Sequence, residues 1–234
     1  MPDHDVDIYL YGEYDPDYPK LPGNPSPGGW NASTGELIVS GFQTYGKNVY
    51  YHAYGMRGTV DAIVERYGVN KADVKKVTVI GELGDVSTLD WMSNGYNCGN
   101  CEIEFPNIET VDLRHTYGVT HYNYDYAFEN TLSSYFVPTL KKLILPSNIE
   151  QLRYFYWGNY PVLEDVTLYA SVPPTVLDYI TSEHFDKLPA GCTLYVPEQS
   201  VATYKADEYW GKFSNILPIP EGDAENITVD LPDN

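Results

Sequence analysis

The chain is short of positive charge, of cysteine and of long apolar runs, and each shortage narrows what it can be. Its 234 residues carry 14 Lys and Arg against 33 Asp and Glu, a formal net charge of -19. Such a surface is repelled by nucleic acid and by anionic lipid headgroups, so neither is expected as a partner. Three cysteines, Cys98, Cys101 and Cys192, decide little about redox compartment. No apolar stretch approaches the roughly 20 residues of a transmembrane helix, so no membrane span is expected. No signal peptide is visible either, because Met1 is followed at once by Pro2 and a polar acidic run. The start reads as a cloning Met on a trimmed mature sequence, which is compatible with a lipid anchor before trimming.

What is present is apolar and rich in tyrosine. Hydrophobic residues make up 43%, enough for a real core, and Tyr outnumbers the other aromatics with 23 against 7 Phe and 4 Trp. Tyrosine joins a large apolar ring to a polar tip, so it suits half-buried positions and binding faces. The length allows one large domain, or one domain with a small appendage. The acidic excess gathers at the ends: Asp3, Asp5, Asp7, Asp15 and Asp17 at the start, and Glu221, Asp223, Glu225, Asp230 and Asp233 in a tail without Lys or Arg. Acidic ends of this kind are solvated.

Residues 1–57 carry few helix signals. Asp7–Tyr14, Glu36–Phe42 and Asn48–Ala53 read as strands, and Asp15–Gly29 is a proline- and glycine-rich loop. This segment is expected to be a small β element packed against the next part of the chain. At Thr59–Gly68 the period changes. Val60, Ile63, Val64 and Tyr67 fall on one helical face, with Thr59 able to cap the start and Gly68 able to end it.

Beyond it a pattern repeats. Val74–Val79, Ile108–Leu113, Leu140–Leu145 and Leu163–Leu168 each read apolar, two polar, then apolar-x-apolar, and Cys192–Val196 gives the strand half of a fifth copy. The central positions 77, 111, 143, 166 and 194 are 34, 32, 23 and 28 residues apart. That spacing is typical of solenoids. Residues two apart on a strand share a face, so Val111 and Leu113 should point inward and Asp112 outward. One unit cannot bury its own apolar face, but stacked neighbours can. The expected fold is an α/β repeat, an irregular solenoid with a parallel strand ladder over residues 58–219, preceded by the β element of 1–57 and followed by the acidic tail of 220–234.

Three stretches carry a family resemblance: Val77–Leu89 (VTVIGELGDVSTL); Tyr126-Ala-Phe128 with Leu140–Ile149; and Cys192–Ile219, a helix-bearing closing segment with several ordered landmarks. Together they resemble the BspA-type leucine-rich-repeat proteins of gut and oral bacteria, over roughly residues 58–219. The resemblance implies a leucine-rich-repeat solenoid, secreted or cell-surface placement, and a role in adhesion or host contact rather than catalysis. It implies no particular ligand. The chain departs from the family between Gly81 and Ile108, where Cys98-Gly-Asn-Cys101 stands, and at Arg153–Tyr160.

The ladder supplies candidate sites. Its outward positions include Thr78, Asp112, Arg114, Ile144, Thr167, Tyr169 and Tyr195, either a recognition face or an ordinary solvated sheet. Tyr122, Tyr124 and Tyr126 alternate along one extended segment, and Tyr154, Tyr156 and Trp157 come one repeat later. These rings are either an aromatic platform for a sugar or protein loop, or packing between repeats. Cys98 and Cys101 read as a local disulfide or two free thiols. A structural zinc site needs four ligands, and no second pair exists. Asp3-x-Asp5-x-Asp7 is similar to a calcium loop but has Ile8 where the turn needs Gly. His115 and His121 with Asp112 lack a partnered nucleophile. Asn31-Ala-Ser33 and Asn226-Ile-Thr228 match glycosylation acceptors by chance. No metal or cofactor is expected. The expected function is non-enzymatic binding of a protein, with carbohydrate binding through exposed Tyr and Trp as the alternative.

Overall fold

Alternation of apolar and polar residues produces the dominant element, a sheet of eight strands. The computed structural model describes residues 29–40, 64, 67–82, 105–117, 137–152, 157–176 and 185–221. Ten strands occur among them: β1 (Gly29–Asn31), β2 (Glu36–Ser40), β3 (Lys76–Glu82), β4 (Thr110–Tyr117), β5 (Lys142–Leu145), β6 (Gln151–Leu152), β7 (Asp165–Leu168), β8 (Thr175–Val176), β9 (Thr193–Val196) and β10 (Asn215–Pro218). The large sheet runs β1-β2-β3-β4-β5-β7-β9-β10, and β6 pairs with β8 in a second, two-stranded sheet. Every pairing is parallel except the β1–β2 hairpin. The architecture is thus a mostly parallel sheet with few helices, an α/β arrangement.

The register explains the sequence pattern. Leu37, Val77, Val111, Leu143, Val166, Leu194 and Ile216 stand opposite one another across seven strands. None of them is more than 3% exposed. The expected inward positions two residues further on, Val79, Leu113, Leu145, Leu168 and Val196, are equally buried, as are the leading Val74, Ile108, Leu140 and Leu163. Each fully buried Leu or Val contributes about 1.5–3 kcal/mol of transfer free energy, so this ladder is the main source of stability.

A run of backbone hydrogen bonds joins each strand start to the next. The Gly35 carbonyl accepts from the amides of Lys75 and Lys76, and the Lys75 carbonyl from Glu109 and Thr110. The Glu109 carbonyl then accepts from Lys141 and Lys142, and the Lys141 carbonyl from Glu164 and Asp165. A tight turn precedes β4, β5 and β7, with Ile108 donating to Phe105, Leu140 to Val137 and Leu163 to Tyr160. Pro106, Pro138 and Pro161 occupy the second position of these turns, where a φ fixed near -65° suits a type I turn.

The expected boundary at residue 57 is not a break in the sheet. β2 pairs in register with β3, and Leu37 is fully buried in the shared ladder, so residues 36–40 continue the parallel sheet. The β1–β2 turn is closed by the Asn31 carboxamide, which accepts from the Ser33 amide and hydroxyl at 3.1 and 2.7 Å. Gly35 follows at φ +68°, and a Cβ there would lie 2.6 Å from the Asp73 carbonyl oxygen. The strands expected at 7–14 and 48–53 lie outside the described residues. Of the helix expected over 59–68, Val64 and Tyr67 are described and helical. Gly68 has φ +60°, and Val69 donates to the Val64 carbonyl at 2.8 Å, the bonding of a glycine-terminated helix.

The C-terminal end is sealed by aromatic packing. Trp157 stands edge-on to Phe185, Trp210 and Phe213 at ring separations of 5.7, 6.3 and 5.3 Å, and Trp210 stacks on Phe213. The short helix α1 (Val201–Ala206) adds Tyr204, whose hydroxyl donates to the carbonyls of Ala170 and Val172. Trp210 Nε1 donates to the Pro174 carbonyl and Ser200 Oγ to that of Ser171. Three side chains thereby satisfy the backbone of the loop after β7, which buried carbonyls require. No helix among the described residues is long and apolar enough to cross a membrane.

Candidate functional site

Strand alternation turns a second set of side chains to the opposite face of the sheet. One row there is Ile38, Thr78, Asp112, Ile144, Thr167, Tyr195 and Leu217, and the row beside it is Glu36, Lys76, Thr110, Lys142, Asp165, Thr193 and Asn215. The centre of this outer face is covered. Thr78, Asp112, Ile144 and Thr167 are 6%, 3%, 2% and 3% exposed. Arg114, Tyr169 and Tyr195 are half-buried, and Leu217 is exposed. Thr78, Asp112, Ile144 and Thr167, expected among the outward ladder positions, are therefore a floor, and the longer side chains around them form its accessible layer.

A polar network ties this layer together. Arg114 Nε donates to both carboxylate oxygens of Asp112 at 3.0 Å, and the Arg114 amide donates to Oδ1 at 3.1 Å. Lys76 Nζ lies 2.9 Å from Glu36 Oε1 and 3.7 Å from Asp112 Oδ2. Thr78 Oγ1 donates to Glu36 Oε1 at 2.6 Å. A buried carboxylate is stable only when paired and hydrogen-bonded, and Asp112 is both. Arg114 Nη1 donates in turn to the Tyr169 hydroxyl at 3.2 Å, with its guanidinium carbon 5.6 Å from the Tyr169 ring centre. That is cation–π distance.

A bulge in β4 creates this geometry. Thr78 pairs with Asp112, but Ile80 pairs with His115, so β4 spends one residue more than β3 over the same span. Bulges of this kind re-aim side chains. His115 is half-buried, and burial holds its pKa below the ordinary 6.5, with Asp112 opposing that shift and Arg114 and Lys76 reinforcing it. On the neighbouring row, burial raises the pKa of Asp165, against the pull of Lys142 and with the push of Glu164. Burial and then Asp165 raise the Tyr195 phenol. This arrangement suits anchored hydrogen bonding and stacking. Among the described residues, no group of three or more His, Cys, Asp or Glu is placed to hold a metal ion.

The aromatic candidates separate. Trp157 is 0% exposed and lies inside the closing aromatic cluster, so its ring is core and not a platform. Tyr160 beside it is also fully buried, and burial pushes its phenol far above the ordinary range. Tyr122, Tyr124, Tyr154 and Tyr156 lie outside the described residues, as do Cys98, Cys101 and His121. Glu36 and Lys76 belong to the network although the repeat pattern does not single them out. Their signal is Glu36–Ser40, a strand in the same pattern as β3, obscured because the leading position holds Thr34 rather than an apolar residue.

Searches against protein-family models and against characterised proteins find no match to this chain.

Proposed function

We propose that the chain is a leucine-rich-repeat solenoid of the BspA type, secreted or at the cell surface, that binds a protein partner through the outer face of its sheet and performs no catalysis. Seven strands in one parallel register, joined by a repeated hydrogen-bonded turn, support the solenoid. The observation that carries the binding reading is the Asp112–Arg114–Tyr169 network. It holds a cation, an aromatic ring and its phenol hydroxyl in fixed positions on one face. Arg and Tyr are the residues that most often dominate binding energy, and preorganisation lowers the entropy cost of using them.

Carbohydrate binding has less support. Trp157 packs in the core, and the remaining rings proposed for a sugar platform lie outside the described residues. A direct test applies the purified chain to an array of extracellular host proteins and to a glycan array. The comparison variants are Arg114→Ala with Tyr195→Ala, and Lys205→Ala on the closing helix as a control. The expected result is a protein ligand whose binding weakens about tenfold or more, at least ~1.4 kcal/mol, in the outer-face variant alone. Binding only to glycans, or protein binding indifferent to the outer-face substitutions, would overturn the reading.

A further inference from the structure

We propose that the outer face engages its partner at the β7–β9–β10 end, where Asp165, Thr193, Tyr195, Asn215 and Leu217 form a patch for a Lys or Arg side chain flanked by apolar residues of a protein segment. This rests on the outer-face binding proposed above, and it specifies where that contact is centred and which chemistry it selects.

Exposure along the sheet locates the patch. Thr78, Asp112, Ile144 and Thr167 form one row across β3, β4, β5 and β7, and none is more than 6% exposed. The next two positions of that row open up: Tyr195 is half-buried and Leu217 is 45% exposed. Beside them Asp165, Thr193 and Asn215 stand in register on β7, β9 and β10, the first two half-buried and the last exposed. Neighbouring strands lie about 4.8 Å apart, and same-face residues follow one another at about 6–7 Å. One bound residue can therefore reach all five side chains.

The two ends of the face differ in what their polar groups already hold. At β2–β4, Glu36, Lys76, Thr78, Asp112 and Arg114 satisfy one another. Among the described residues, the side chains of Asp165, Thr193, Tyr195 and Asn215 make no hydrogen bond or ion pair. A group arriving there has no existing side-chain bond to break.

The charges decide what that group is. The pull of Lys142, the register partner of Asp165 on β5, is opposed by burial and by the adjacent carboxylate of Glu164. The Asp165 anion therefore gains from a further cation. Tyr195 lies close enough to feel the Asp165 charge. A carboxylate beside a half-buried aromatic ring matches a cationic side chain, whose head pairs with Asp165 while its stem or guanidinium plane lies on the ring. Leu217 extends the apolar surface for a flanking residue, and Thr193 and Asn215 supply hydrogen bonds at the rim. A basic segment is also what a chain of net charge -19 attracts at long range.

The test applies the full chain to an array of short random-sequence peptides and reads which residues the bound peptides share. The wild type should enrich peptides in which Lys or Arg adjoins Leu, Ile or Phe. That enrichment should fall about tenfold in Asp165→Asn and in Tyr195→Ala, and Asp165→Lys should turn the preference toward Asp and Glu. Glu208→Gln, which removes the same unit of charge from the exposed closing segment, should change nothing. No enrichment, enrichment of neutral or acidic peptides by the wild type, or equal losses in Asp165→Asn and Glu208→Gln would overturn the proposal, the last by assigning the preference to overall acidity. The peptide readout needs no natural partner. A host-protein ligand sensitive to the outer-face variants, together with peptides showing no cationic preference, would sink this inference and leave outer-face binding standing.

Discussion

Arg114 on β4 and Tyr169 beyond β7 meet across the intervening strand β5, guanidinium to hydroxyl at 3.2 Å. Two strand spacings separate their backbones, about 9–10 Å, so only a long side chain can close the gap. The same guanidinium neutralises Asp112, whose side chain is 4% exposed. Arg114→Ala should therefore cost about 2–4 kcal/mol, because it strips a buried carboxylate of its main partner. Pairing it with Asp112→Asn should recover part of that loss. Urea denaturation of the two single variants and the double variant measures the coupling. Additive effects would show that Lys76 and the backbone alone sustain Asp112.

The inward ladder predicts a sharp contrast between two leucines. Leu143 is fully buried at the centre of the register, whereas Leu217 on the edge strand is 45% exposed. Leu143→Ala should cost about 2–5 kcal/mol, the transfer loss plus the cavity it leaves. Leu217→Ala should stay within about 0.5 kcal/mol. Equal effects in thermal or urea melts would mean that the ladder is not the principal core.

The repeat is legible in the sequence because burial has a period. Ile108-x-x-Val111-x-Leu113 and its copies put apolar residues where a stacked strand must be dry, and each of these positions is buried. Three things escape that pattern. β2 joins the ladder through Leu37 although Thr34 breaks the leading apolar position, so the pattern does not mark β2 as a ladder strand. Trp157 is ambiguous because an aromatic cluster in sequence fits a platform as well as a core, and only the closing residues Trp210 and Phe213 decide between them. The network of Glu36, Lys76, Asp112 and Arg114 depends on register and on the β4 bulge, neither of which is written in the spacing of apolar residues.

Stability should fall on the acid side because of His115. Its folded pKa lies below 6.5, chiefly through burial. The unfolded state therefore takes up the proton first. Its contribution is fully present above pH 6.5 and is lost as pH falls from there toward the folded value. His115→Gln should flatten the urea midpoint between about pH 7 and pH 5 relative to wild type. An unchanged slope would assign the acid sensitivity to other groups.

Among the described residues β10 ends the sheet, and its sequence resists extension. Ile219 donates to the Val196 carbonyl, so the backbone groups of Leu217 and Ile219 turn toward β9 while those of Ile216 and Pro218 turn toward the free edge. Proline has no N–H, so the edge lacks a donor where an added strand would need one. Pro218→Val restores that donor in a strand-favouring residue. It should produce concentration-dependent association by analytical ultracentrifugation, with Pro220→Val as a control outside the strand. A monomeric Pro218→Val variant would show that the edge is blocked by something other than the proline.

Cys192 offers a probe of whether the closing repeat opens independently. Its thiol is 1% exposed. Burial, with a smaller push from Asp165, raises its pKa to about 12. Thiolate is the reactive form, so a folded chain near pH 8 should hardly react with a thiol reagent at this position. A variant carrying Cys98→Ser and Cys101→Ser leaves Cys192 as the one thiol of the chain. Its labelling should be slow in buffer and fast in denaturant. Trp210→Ala removes a fully buried ring and its bond to the Pro174 carbonyl. If the aromatic cap holds the closing segment shut, that substitution should accelerate labelling at denaturant concentrations where the far-ultraviolet signal is still native. Labelling that rises only with global unfolding would instead make the cap and the ladder one cooperative unit.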